Sequence, residues 1–182
     1  MNILRTIPNQ ITVARIAFVP LLMFLILYES RIARIVGMIL FFFAAVSDAV
    51  DGYIARSLNQ TSLFGKFADP IADKLLIAGA LIALLQLGEL SAWAVMVIIA
   101  REFLVTGLRI LAISEGEAIG ASALGKGKTI SHVALVLVLL IDRSFALGPG
   151  GDVAKAVCLG LALAMSVSSG IDYFYRSRRL FA

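Results

Sequence analysis

The chain carries six apolar stretches free of Asp, Glu, Lys and Arg, and each is too short to cross a bilayer unaided. They run 16–28, 35–47, 75–88, 90–100, 129–141 and 156–171, which is 13, 13, 14, 11, 13 and 16 residues. A spanning helix asks for about 20 predominantly apolar residues. Yet 60% of the 182 residues are hydrophobic and 15% are charged, against roughly half and roughly a quarter in soluble domains. A chain this apolar is not disordered. The pattern predicts an all-α integral membrane protein, one domain over 1–182, in which each helix gains length by reaching across charged residues. Six transmembrane helices are predicted near 10–29, 32–51, 69–88, 90–113, 127–142 and 153–175, after a short juxtamembrane segment at about 1–10. The single cysteine, Cys158, excludes an internal disulfide.

The charges that the helices take in are not spread evenly. Arg15 opens the first helix and Asp48 closes the second. Asp69, Asp73 and Lys74 open the third, while Arg101, Glu102 and Arg109 lie in the second half of the fourth. Lys126 and Lys128 open the fifth and Asp172 closes the sixth. Successive spans alternate in direction, so these ends all fall on one side of the membrane. That side, with the termini, holds 12 Lys and Arg, against four on the other: Arg31, Arg34, Arg143 and Lys155. The positive-inside rule places the charged side and both termini in the cytoplasm. The opening MNILRTIPNQ lacks a small-residue cleavage site and is read as part of a retained membrane segment. Tight turns are expected at Gly88–Glu89 and in LGPGGD at 147–152. No repeat or linker divides the chain.

Four carboxylates stand out. Asp48 and Asp51 are three residues apart, and Asp69 and Asp73 are four apart. On a helix either spacing stacks the side chains on one face, with Cβ atoms about 5–6 Å apart. Carboxylates at membrane depth are costly and mark function unless they merely face water at the interface. Four like charges drive one another toward protonation unless a cation joins them. An all-oxygen donor set, with no Cys or nearby His, suits Mg²⁺ or Mn²⁺ and not zinc. Gly52 permits close backbone approach to a ligand, or helix packing, and Gly65 carries the same ambiguity. Arg56 can make forked bonds to a phosphate. Pro70 suits a first helical position with Asp69 as cap, or else kinks a helix already begun.

Asp48, Asp51, Gly52, Ala55, Arg56, Gly65, Asp69 and Asp73 together form a spaced pattern of eight residues across 26 positions. It resembles the signature of the CDP-alcohol phosphatidyltransferase family at every fixed position. The resemblance implies a fold of six transmembrane helices with a cytoplasmic-side active site. It implies that the four aspartates bind two Mg²⁺ or Mn²⁺ ions and that Asp73 acts as general base. It further implies that Gly52, Ala55, Arg56, Ser62 and Gly65 hold CDP-diacylglycerol. Bacterial members imply a location in the inner (plasma) membrane, membrane lipids as surroundings and a homodimer. No nucleic-acid partner is expected.

A second, basic cluster concerns the acceptor. Arg101 and Arg109, eight residues apart, are expected to share a helix face and to converge with Lys126 and Lys128 on an anionic substrate. The segments REFLVTGLRILA at 101–112, GKGKT at 125–129 and IPNQITVAR at 7–15 resemble the branch of the family that uses sn-glycerol 3-phosphate. In the last of these, Asn9, Thr12 and Arg15 are weaker site candidates. The expected reaction is transfer of the phosphatidyl group from CDP-diacylglycerol to sn-glycerol 3-phosphate, releasing CMP. Inositol phosphate, serine and phosphatidylglycerol are the alternative acceptors, and a divalent-cation transporter is the alternative from another class. A plainer account of the basic residues has the lysines meeting anionic headgroups and Arg101 paired with Glu102 or another carboxylate. His132, the sole histidine, is read as a packed or hydrogen-bonded side chain outside the site. GASALGKG at 120–127 lacks the Ser or Thr of a phosphate-binding loop after its lysine, and Phe41–Phe43 are packing or lipid-facing residues.

Overall fold

The computed structural model describes residues 7–58, 63–114 and 123–178. Among these residues the chain is helical, with six helices and no strand: α1 (Ile7–Leu27), α2 (Arg31–Leu58), α3 (Leu63–Gln86), α4 (Ala92–Ser114), α5 (Ala123–Phe145) and α6 (Pro149–Arg176). Each predicted helix is present, but the ends differ where charge interrupts hydropathy. The second helix was expected to stop near 51 and the third to start near 69; α2 continues to Leu58 and α3 begins at Leu63. Hydropathy falls at the aspartates, whereas Ala55, Arg56 and Leu58 remain good helix formers, so helical backbone outlasts the apolar run. Pro70 is therefore the eighth residue of α3. Of the two readings of Pro70, the bounds of α3 match the proline in a helix already begun and not the first-position proline capped by Asp69, because α3 starts about two turns earlier. The fifth helix likewise begins at Ala123 instead of 127.

The helices group into two compact units. The first comprises Met1–Glu89 together with Arg143–Phe145, and the second Leu90–Asp142 together with Ala146–Ala182. In the first unit α1 packs against both α2 and α3. Val19, Leu22 and Ile26 of α1 are buried at helical spacing, and Leu76, Ala80, Ala83 and Leu84 of α3 recur in the same way. Phe41 of α2 is buried, while Phe42 and Phe43 are exposed. Small residues let α1 and α3 approach closely. A Cβ built on Gly79 would stand 2.5 Å from Val19 Cγ1. Gly79→Val is accordingly expected to cost about 1–3 kcal/mol by overpacking. A lower thermal midpoint in detergent checks this, and an unchanged midpoint would refute close α1–α3 contact at that level.

Gly88 ends α3 in the left-handed region, with φ 77°. The amide of Gly88 donates to Leu85 O at 2.9 Å and that of Glu89 to Leu84 O at 3.0 Å, the paired bonds of a Schellman cap. Arg143 Nη1 pairs with Glu89 at 3.2 Å, and Arg34 Nη1 donates to Arg143 O at 3.0 Å.

In the second unit α4 packs against α6, and α5 contributes Leu135, Val136, Leu139 and Leu140 to the buried core. The turn before α6 is shorter than the predicted 147–152, because the helix starts at Pro149 instead of near 153. Gly148 precedes Pro149 with φ 64°, and Pro149 opens the helix where its missing N–H costs nothing. Asp142 Oδ1 accepts from the Leu147 amide at 3.1 Å, and Asp142 pairs with Lys155 at 2.7 Å. Leu124–Phe145 and Pro149–Arg176 are long and apolar enough to cross a membrane. Large apolar side chains also point outward from several helices, among them Ile32, Trp93, Ile130 and Ile171. Trp93 is 83% exposed. Apolar exposure on this scale marks contact with lipid or protein.

Candidate active site

Two groups of residues proposed from the sequence fall on different helices of the structure. The acidic pattern lies on α2 and α3. Because α2 runs through Asp51 to Leu58 and α3 from Leu63 through Asp73, both aspartate pairs sit on helical backbone, where the i,i+3 and i,i+4 rule applies. The side chains of Asp48, Asp51, Gly52, Ala55, Arg56, Gly65, Asp69 and Asp73 lie outside the described residues, as do those of Asn9 and Thr12 and the whole of Ser62. Among the described residues no trio of His, Cys, Asp or Glu stands close enough to hold a metal.

The basic group is described in detail, and its centre is a carboxylate. Glu102 Oε1 accepts from Arg101 Nη1 at 2.8 Å and from Lys128 Nζ at 2.5 Å. The three side chains are only 10–13% exposed. Arg101 and Glu102 come from α4 and Lys128 from α5, so a contact between residues 26 apart in sequence ties the two helices together. Charge-assisted bonds of this length are the stronger class of hydrogen bond. Thr106 Oγ1 donates to Glu102 O at 2.6 Å, occupying the hydroxyl within its own helix. The methylene stem of Arg101 packs on Gly170 of α6, where a Cβ would lie 3.3 Å from Arg101 Cγ. Arg101 Nε is buried with no hydrogen-bond partner among the described residues. Arg101 also lines an open groove of about 580 Å³ with Val97, Leu104, Gly170 and Phe174.

One turn beyond Lys128, His132 Nε2 lies 2.7 Å from Ser166 Oγ of α6. His132 is 2% exposed, the satisfied buried histidine expected from its isolation in the sequence. Ser169 donates to Met165 O and Ser166 O. Polar side chains of α4, α5 and α6 thus occur together inside an otherwise apolar unit, and each exchange of hydrogen bonds avoids the cost of a stranded polar group.

Arg109 and Lys126 differ from Arg101 and Lys128 in exposure. Both are exposed. At about 100° per residue, eight residues leave Arg109 about 80° away from Arg101 around α4, and two residues set Lys126 on the far side of α5 from Lys128. Of the four cations expected to converge, Arg101 and Lys128 are the two that share the Glu102 carboxylate. Arg15 is half-buried on α1.

The sequence model of CDP-alcohol phosphatidyltransferases matches residues 5–168, nearly the whole chain. The chain belongs to the CDP-alcohol phosphatidyltransferase family. It is 42% identical to the CDP-diacylglycerol–glycerol-3-phosphate 3-phosphatidyltransferase of Bacillus subtilis, covering 94% of each chain. It is 34% identical to the enzyme of the same name from Rickettsia bellii over the full length of both. A cardiolipin synthase (CMP-forming) of Oryza sativa is 36% identical, covering 92% of this chain and 54% of the plant protein. The matched span takes in the acidic pattern on α2 and α3 as well as Arg101, Glu102, Lys128 and His132. Within this CDP-alcohol phosphatidyltransferase, Glu102 as a shared carboxylate is what sequence reasoning undervalued. It figured there only as a neutral explanation for Arg101, and nothing local signals that Lys128 reaches the same oxygen.

Proposed function

We propose that the chain transfers the phosphatidyl group of CDP-diacylglycerol to sn-glycerol 3-phosphate, forming phosphatidylglycerol phosphate and CMP. The observation that carries this reading is the full-length similarity to the Bacillus subtilis transferase in a chain whose eight-residue signature is complete. Asp48, Asp51, Asp69 and Asp73 hold two Mg²⁺ or Mn²⁺ ions. When bound, such ions neutralise the diphosphate and stabilise the charge that develops on CMP. Asp73 takes the proton of the attacking glycerol hydroxyl. The hydroxyl oxygen forms its bond to the phosphatidyl phosphorus as the bond from that phosphorus to the CMP oxygen breaks, and CMP leaves with the electron pair. Gly52, Ala55, Arg56, Ser62 and Gly65 orient the nucleotide and diphosphate. Arg101 and Lys128 bind the acceptor phosphate, with Arg109 and Lys126 as outer cations. Fixing the acceptor turns a bimolecular attack into an oriented one, which supplies much of the acceleration in such transfers.

Six spans with both termini cytoplasmic fit the loop charge, 12 Lys and Arg against four. The setting is then the bacterial inner membrane, with lipid on the outward apolar faces and the homodimer that the family resemblance implies. CDP-diacylglycerol reaches the site from the inner leaflet with its acyl chains still in lipid.

Purified protein in detergent is expected to release CMP from CDP-diacylglycerol when sn-glycerol 3-phosphate and Mg²⁺ or Mn²⁺ are present. Chelation should lower the rate at least about 100-fold, as loss of several kcal/mol of charge stabilisation requires, and added metal should restore it. Phosphatidylglycerol, the acceptor suggested by the cardiolipin synthase relative, is run beside inositol phosphate and serine. CMP release with one of these and none with sn-glycerol 3-phosphate would reassign the acceptor. Undiminished release in chelator would remove the metals.

A further inference from the structure

A carboxylate is the last group that Coulomb's law would add to a pocket for an anion. Glu102 nevertheless sits between Arg101 and Lys128, and one of its oxygens takes a donor from each. The arrangement solves a positional problem. Lysine is a point charge on a flexible stem, and two like charges on neighbouring helices separate unless something of opposite sign holds them. Glu102 Oε1, anchored on α4, holds the Lys128 ammonium of α5 at 2.5 Å and the Arg101 guanidinium at 2.8 Å. Glu102 occupies one nitrogen of Arg101, Nη1, and the buried Nε remains without a partner among the described residues. A buried guanidinium N–H without an acceptor is costly in a helix bundle, and a phosphate oxygen would satisfy it.

We propose that Glu102 is a positioning residue for a phosphate-bearing acceptor: it fixes Arg101 and Lys128 in one arrangement and itself touches no substrate. The proposal rests on the acceptor reading given above and deepens it. Its sign differs from that of a simple charge effect. If Glu102 only diluted positive charge, removing its charge would tighten binding of an anion. If it orients the two cations, removing its charge weakens binding, because both must be re-ordered by the substrate.

The decisive measurement is the KM for sn-glycerol 3-phosphate in Glu102→Gln, with the KM for CDP-diacylglycerol as the internal control. The acceptor KM is expected to rise at least about 5-fold, the weakening typical of losing a charge-assisted bond, with the lipid KM within about twofold. An acceptor KM that is unchanged or lower overturns the proposal. Glu102→Asp keeps the charge and shortens the reach, so it should raise the acceptor KM by a smaller factor. It decides the matter alone if the Gln variant does not fold, an unchanged acceptor KM again overturning the role. Wild-type protein that releases no CMP with sn-glycerol 3-phosphate refutes the acceptor reading instead, and does so before any variant is made.

Discussion

Asp73→Asn is expected to lower the rate of CMP release at least about 1,000-fold, since general-base catalysis alone contributes about 10²–10⁴ and a ligand to the metals is weakened as well. Asparagine matches aspartate in shape but accepts no proton at neutral pH. The two roles separate experimentally. A residue that only ligates loses affinity for metal, so raising Mg²⁺ should recover much of its rate. Asp48→Asn is expected to behave in that way. Asp73→Asn should stay slow at saturating Mg²⁺ while still binding CDP-diacylglycerol. Full activity in Asp73→Asn would remove its role as base, and recovery of the rate with excess metal would reduce it to a ligand.

Lys128→Met is expected to raise the KM for sn-glycerol 3-phosphate at least about 30-fold, because truncating one partner of a buried charge pair costs about 2–5 kcal/mol, much of it the penalty on the charge left behind. Lys128 is nearly as buried as the core around it, so methionine fills its volume without filling its role. Glu102 keeps Arg101 at 2.8 Å but loses its contact to α5. The thermal midpoint in detergent should therefore fall along with acceptor affinity, while the KM for CDP-diacylglycerol changes less than about threefold. Lys126→Met, at an exposed position two residues away, should have the milder effect. Equal effects of the two variants would mean that general positive charge near the start of α5 binds the acceptor, and that the Glu102-centred pair does not.

Much of the molecule is legible in its residue order. Helix number follows from apolar runs separated by charge, and the break before α6 follows from Gly148 at positive φ and Pro149 at the first helical position. Helix ends were less legible at the acidic pattern. Hydropathy reports where lipid ends, whereas the backbone follows helix propensity, so α2 and α3 run on past the aspartates. His132 was assigned by elimination, since a single imidazole lacks the companions of a metal site, and its 2.7 Å contact to Ser166 agrees. The meeting of Arg101 and Lys128 at one Glu102 oxygen was not legible, because it joins residues of two helices.

Local pattern by itself determined the helical class, the charged ends and the eight-residue signature, because each depends on neighbours within a few turns. Only the tertiary structure decided which cations are paired. The rotation of α4 and α5 about their axes is set by packing in the second unit, where Arg101 lies against Gly170 and His132 against Ser166. That rotation brings Lys128 to the oxygen already held by Arg101, across 26 residues of sequence. Spacing along one helix carries no information about the rotation of its neighbour.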